Sequence, residues 1–492
     1  MKTLIFPGRH LATTAFQAKY LGELARQFES VIFPVTSANQ ANCRYNPIPF
    51  YLRAIGIDRF AQSALPDVHW RIIPIPHFQA GAPGKFCQCI VKECEHELGF
   101  ALTPENAEVV ISTPGLMEAW AALGFVVHNC EQSQPENERF YPVDAISAIG
   151  GNCDLMSLKG KLSEEGFDFF RQNPQVVARI RELWSDPLVS DQGDIFEGRY
   201  YDSYSSDMLA NMKRKFEQIE PHIRPGRIVD EGCADGALIV EIAKAFPDSD
   251  LYGIDISTEF AARFSERQRR GEFGMTYVHF HHGNLMKPLF RSDSIDTIIC
   301  NSTLHEIYSY AGGELAVREY LAMKVDQLVP GGRLIARDVV GPDANIPVYL
   351  KTAGGLSKNH ANKPIFETTI SERFLRFLND YKHGANGFVH ECREHEVVFT
   401  TMLATAMEFA AKVDYLSNWH AEMAETFCFW SHAKWKQVFA DAGLLVLVDS
   451  VAYAEPWLVQ NRFTGRISIS TPQNDSIPWP PTNHLIVSEK KS

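Results

Sequence analysis

The chain has 492 residues, 47 basic and 60 acidic side chains and a formal charge of −13, a balance that argues against the broad positive footprint a nucleic-acid backbone requires and favours a small-molecule substrate. It is too long for one ordinary domain, and 45% hydrophobic and 22% charged residues describe a soluble globular protein. No run approaches the roughly eighteen apolar residues of a membrane span, and Met1 to Pro7 is too short for a signal-peptide core, so a cytoplasmic location and no membrane partner are expected.

In chain order, residues 3–7 read as a short apolar strand that runs into Gly8-Arg9 and a helix over Thr13 to Phe28. A strand at Val31 to Val35, a polar loop from Thr36 to Pro49, a helix at Phe50 to Phe60 and strands at Trp70 to Pro76 and Glu108 to Ser112 follow. This is an α/β nucleotide-type domain, expected over residues 1–150. Cys87, Cys89, Cys94 and His96 fall in a helical stretch with a spacing wrong for a zinc knuckle, and ten scattered cysteines suit reduced thiols, so no metal is expected.

The order of these pieces resembles the nicotinamide-nucleotide adenylyltransferase family of the nucleotidylyltransferase superfamily. The resemblance rests on Gly8-Arg9, on the polar loop leading through Asn46-Pro47 to Arg53, and on Pro74-Ile-Pro76 and Leu123 to Val127. It implies nucleotide contacts at Gly8, Arg9, Thr14, Gln17 and Arg53. Thr14 and Gln17, however, stand where that family carries its two catalytic histidines, and Tyr141 to Ser147 replaces its triphosphate-binding Ser-x-x-x-Ile-Arg. Phosphoryl transfer depends on preorganised charge, so a recognition or structural role is expected in place of adenylyl transfer.

Residues 151–205 read as a helical connector, with a helix from Glu164 to Trp184 and an aromatic lead-in whose Tyr200, Tyr201 and Tyr204 are candidates to close over a cofactor. The stretch Arg227 to Phe246 then gives a strand ending at Asp230, a turn with Gly232 and Gly236, and a helix with Leu238, Ile239, Ile242 and Ala243 at helical spacing. Asp255 closes the next strand, where a carboxylate can accept both hydroxyls of a ribose. The turn is Gly-x-x-x-Gly and lacks the third glycine of a dinucleotide fingerprint, while Asp230 would repel phosphate and suit a cation.

These residues resemble the class I methyltransferases, whose first motif appears as Asp230 to Gly236. Gly283-Asn284-Leu285, Ser294 to Ile307 and Leu328 to Asp338 follow in that family's order. The resemblance implies S-adenosylmethionine as cofactor, held by Asp230, Gly232, Cys233, Ala234, Gly236, Asp255, Ile256, Asn284, Leu285, Asn301 and Ser302. A helix at Trp435 to Gly443 and strands at Leu444 to Tyr453 and Leu485 to Glu489 complete the expected domain, residues 206–340 with 431–492.

Between its halves, residues 341–430 show helical periodicity over Ser371 to Tyr381, Thr400 to Val413 and Asp414 to Glu425, which predicts a helical lid carrying the acceptor pocket. Candidates for a general base are His305, Glu306 and Asp338 near the strand ends and His420 in the lid, His420 being the preferred acceptor contact. The expected fold class is α/β: two Rossmann-like doubly wound domains, the second a class I methyltransferase sheet with a helical lid insertion.

The function expected is methyl transfer from S-adenosylmethionine to a small, nucleotide-like or nucleotidylated acceptor. A bifunctional nucleotidylyltransferase and methyltransferase, and a non-catalytic donor-binding sensor or scaffold, are the alternatives. Nucleic acid is disfavoured, with Lys213 to Lys215 and Arg263 to Arg270 the local basic strips that could meet RNA. Oligomeric state is left open.

Overall fold

A computed structural model describes residues 2–41, 43–77, 83–186 and 212–491, and the chain divides into two compact units, Met1–Asp194 and Ile195–Ser492. The lead-in tyrosines Tyr200, Tyr201 and Tyr204 lie outside the described residues.

In the first unit, strands β1 (Thr3–Ile5), β2 (Ser30–Val35), β3 (His69–Pro74), β4 (Ala107–Ile111) and β5 (Val126–Asn129) form a parallel sheet in the order β3-β2-β1-β4-β5. Successive strand residues point to opposite faces. Leu4, Val31 and Phe33 therefore pack with Leu21, Ile57 and Phe60 in one core, while Ile5, Ile32 and Val109 pack with Ile90 and Trp120 in the other. Burial on both faces is why these strands read as continuous apolar runs. The expected helix Glu164 to Trp184 is divided into Glu164–Gln172 and Pro174–Ser185, because Pro174 has no N–H to continue the ladder.

In the second unit, β6 (Arg227–Glu231), β7 (Asp250–Asp255), β8 (Val278–His282), β9 (Ile295–Asn301) and β10 (Leu328–Val339) precede an insertion with β11 (Pro347–Ala353), β12 (Gly387–Cys392) and β13 (Glu396–Met402). β14 (Leu444–Val446), β15 (Val451–Tyr453), β16 (Ile467–Ser470) and β17 (Asn483–Lys490) follow. The main sheet runs β14-β17-β10-β9-β6-β7-β8, with β17 antiparallel to β10 and β15 also paired to β17. The strand order reverses between β6 and β9, which opens a crevice at their carboxyl ends. The single strand expected over Leu444 to Tyr453 is two short ones, β14 and β15, both paired to β17.

The insertion is not the helical lid that its periodicity suggested. β11, β12 and β13 join β16, from beyond the insertion, in a four-stranded antiparallel sheet of order β12-β13-β11-β16, and helices Ile370–Asp380 and Leu403–Lys412 pack on it. The strand signal was present. Val348, Leu350 and Thr352 are buried in alternation with exposed or half-buried neighbours, as are Val397, Phe399 and Thr401. In the stretch Asp414 to Glu425 the α-helix extends only over Trp419–Glu422. Among the described residues no helix is long and apolar enough to cross a membrane.

Candidate functional site

The crevice is built on the turn after β6. Gly232 and Gly236 have φ of +75° and +81°, and a Cβ would lie 2.4 Å from Thr303 Oγ1 at the first and 2.6 Å from the Phe264 ring at the second. Both the backbone and the packing exclude a side chain. Ala234 also has a positive φ, +47°, a conformation disfavoured for alanine. Asp255 holds it there, accepting the Ala234 N–H at 2.9 Å on Oδ2 and the Ser257 N–H at 2.9 Å on Oδ1. The residue expected to meet the ribose thus also braces the glycine turn. Cys233 is buried against Gly253, where a Cβ would meet its sulfur at 2.7 Å.

Around this turn the other expected contacts sit on loop positions at the strand ends. The Ile256 carbonyl accepts from His282 Nε2 at 2.7 Å, and Asn284 Oδ1 accepts the Met286 N–H at 2.9 Å, closing the loop that presents Leu285. Asn301 is buried at the end of β9, and its Oδ1 has no hydrogen-bond partner among the described residues. Ser302 takes φ of +60° and donates its N–H to the Arg337 carbonyl at 2.7 Å.

Asp230 is the electrostatic focus. It is buried, its Oδ2 has no hydrogen-bond partner among the described residues, and burial with the adjacent Asp255 and Glu231 pushes its pKa up to about 8, against the pull of Lys215. A desolvated acid of this kind gains most from a cationic ligand group. Neighbouring Glu231 points the other way, into the core, where it pairs with Lys324 at 2.8 Å and accepts from the Tyr320 hydroxyl.

Three sequence candidates for chemistry meet at the ends of β9 and β10. Asp338 Oδ2 accepts the N–H groups of Leu304 at 2.7 Å and His305 at 3.2 Å, capping helix Leu304–Ala311, and its Oδ1 accepts from His305 Nδ1 at 2.6 Å. His305 Nε2 lies 3.6 Å from Glu425 Oε2, and Tyr310 donates to Glu425 Oε1 at 3.0 Å. Burial works against charge on His305, yet Asp338 and Glu425 together hold its pKa well above the usual value. With both ring nitrogens facing carboxylates, His305 is a clamp between sheet and insertion and not a free base. Glu306, on the same helix, is only half-buried.

His420 is not gathered into this cluster. It is exposed on the short helix, whereas Trp419 is buried and donates from Nε1 to Asp380 at 2.9 Å. Its four-residue helix turns His420 outward while Glu422 faces inward. What fixes this segment is a buried pair that sequence reasoning missed: Lys412 lies 2.7 Å from Glu408 and donates to the carbonyls of Glu422 and Glu425 at 2.7 and 2.5 Å. Glu408 in turn accepts the N–H groups of Phe427 and Cys428 at 2.9 and 2.7 Å. Two opposite charges four apart inside the apolar run Leu403 to Lys412 were the available signal.

In the first unit, the expected nucleotide contacts are taken up internally. Thr14 and Gln17 form the capping box of helix Ala15–Leu24, and Gln17 Nε2 donates to Glu131 at 2.7 Å. Arg53 is buried and donates to the carbonyls of Arg9, Thr36 and Ser37 at 2.8 to 3.0 Å, and Arg9 to that of Tyr45 at 3.0 Å. Gly8 exchanges backbone hydrogen bonds with Pro34 and Thr36.

Residues 228–323, from β6 through most of the helix before β10, match the family model of the methyltransferase domain. The chain is 26% identical over 172 residues to ribosomal RNA small subunit methyltransferase G of Ralstonia nicotianae, an alignment covering 35% of this chain and 69% of that protein. It is 27% identical over 119 residues to ribosomal RNA large subunit methyltransferase G of Shewanella baltica, covering 24% of this chain and only 29% of the relative. A solved SAM-dependent methyltransferase from Methanosarcina mazei overlaps 56% of this chain and 96% of its own, at 15% identity and a TM-score of 0.31, too loose a likeness to add to the sheet order above. Asp230, buried beside a glycine turn with an oxygen left for a cation, suits a sulfonium donor, and the chain carries an S-adenosylmethionine-dependent methyltransferase domain with that donor as its cofactor.

Proposed function

We propose that the second unit transfers the donor's methyl group to a small, ionisable acceptor held between the carboxyl ends of β9 and β10 and the segment 418–428 of the insertion. The observation that carries this reading is the contact of Glu425 with His305, which brings the insertion over the end of the crevice where the methyl group would be presented. A sulfonium is already activated, so the protein's part is to align donor and acceptor and, for a weakly acidic acceptor, to remove a proton. Asp230 and Asp255 bind the donor, Asp338 and His305 position the acceptor side, and half-buried Glu306 is the candidate base.

RNA is the second reading, supported by the names of the two ribosomal RNA methyltransferases. Their aligned segments cover 35% and 24% of this chain, however, and a formal charge of −13 gives no broad positive footprint for a phosphate backbone. Incubating the full chain with label-bearing S-adenosylmethionine and either total RNA or a small-molecule extract separates the two. Label in the small-molecule fraction supports the proposal, and label confined to RNA replaces it. For the first unit we infer a recognition or structural role without adenylyl transfer, supported by the use of Thr14 and Gln17 as a helix cap.

A further inference from the structure

One cluster at the crevice, which includes the candidate base Glu306, combines an imidazole with two carboxylates, a mixture suited to more than proton removal. His305, Glu306 and Glu425 each offer a donor atom, all within 4.8 Å of one another, and His305 Nε2 and Glu425 Oε2 are already 3.6 Å apart. Two ligands on one divalent ion, each at about 2.0 to 2.2 Å, stand about 3 to 3.5 Å apart, so the His305–Glu425 pair is already near a ligating separation and the full set closes with side-chain shifts of about 1 Å.

The surroundings are those of a metal centre in a second respect. Asp338 accepts from His305 Nδ1 at 2.6 Å and so directs Nε2 toward Glu425, the carboxylate–histidine arrangement that outer-shell partners give metal-bound imidazoles. Tyr310 holds Glu425 Oε1 at 3.0 Å, leaving Oε2 toward the histidine. The ligands arrive from two separate elements, helix Leu304–Ala311 and the insertion, and the buried Lys412–Glu408 pair fixes the latter by binding the Glu425 carbonyl and the Phe427 N–H.

We propose that His305, Glu306 and Glu425 bind one divalent cation of the kind that accepts mixed imidazole and carboxylate ligands, Mn2+ or Zn2+. Three protein ligands leave at least one coordination position open. An acceptor hydroxyl entering that position would be polarised by the ion, a role that rests on the methyl-transfer reading.

The test uses the full chain, stripped with chelator and titrated with Mn2+ and with Zn2+ in the absence of donor and acceptor, by calorimetry and, for Mn2+, by electron paramagnetic resonance. One ion per chain is expected for at least one metal, with affinity lowered by about tenfold or more in Glu306→Gln and in Glu425→Gln. Glu306 is half-buried, so its variant should keep the wild-type melting profile even if the other unfolds. No stoichiometric uptake of either ion, or uptake unchanged in a folded Glu306→Gln, overturns the site and leaves His305 as a proton-bearing bridge between two carboxylates. S-adenosylmethionine titrated into the same samples separates the two failures: donor binding without ion uptake removes only the metal site, and ion uptake without donor binding removes only the methyl-transfer reading.

Discussion

Asp338 binds His305 twice over, accepting its ring Nδ1 at 2.6 Å and its backbone N–H at 3.2 Å, so one carboxylate at the end of β10 sets both the start of a helix and the orientation of the imidazole that meets the insertion. Asp338→Asn should therefore cost about 3 kcal/mol of stability, the scale of breaking a buried pair by one partner. In a double-mutant cycle with His305→Gln the two losses should be far from additive. Additive losses measured by urea denaturation would show that the two residues act separately.

The Lys412–Glu408 pair makes a similar demand inside the insertion. Lys412→Met leaves Glu408 buried with its counter-charge gone and should lower stability by about 3 to 5 kcal/mol. Glu408→Gln combined with Lys412→Met should recover part of that loss. A single variant as stable as the wild type would mean that the 422–428 segment is held by its apolar contacts alone.

Asp230 gives a pH signature. Its pKa rises from 3.8 to about 8 on folding, so the folded state binds more protons than the unfolded state between those values. The contribution to stability is present in full below about pH 4 and is lost as pH rises through about 8, with a slope of up to about 1.4 kcal/mol per pH unit. Asp230→Asn should remove this component. Thermal melts of the two proteins from pH 5 to 9 should converge at the acid end and favour the variant at the alkaline end, and parallel curves would show that Asp230 is not desolvated.

In the first unit, Thr14→Ala should cost about 1 kcal/mol, the usual value of a lost helix cap, and the full chain should release no pyrophosphate from nucleoside triphosphates with nicotinamide mononucleotide. Robust release would restore the bifunctional reading that Thr14 and Gln17 argue against.

The donor side of the site was legible because its chemistry is local. Asp230, Gly232 and Gly236 lie within one turn, and the apolar runs on either side fix that turn between a strand and a helix. The acceptor side was not. Glu425 reaches His305 across 120 positions of chain, through an insertion whose strand Pro347–Ala353 pairs on one side with Glu396–Met402 and on the other with Ile467–Ser470, well beyond the insertion. A helical reading of 341–430 caught the helices Ile370–Asp380 and Leu403–Lys412, whose period is strong, and passed over period-2 burial in strands of seven residues. His420 drew attention as a histidine beside a tryptophan, but a helix of four residues left it outside and turned Trp419 inward.

Calorimetric titration of S-adenosylmethionine into the full chain and into Asp230→Asn tests the central claim most directly. One donor per chain is expected, with NAD not competing and the variant weaker by about 1.5 to 3 kcal/mol, the scale of a lost charge-assisted contact. Equal affinity in both proteins, or a preference for NAD, would contradict the assignment of this crevice.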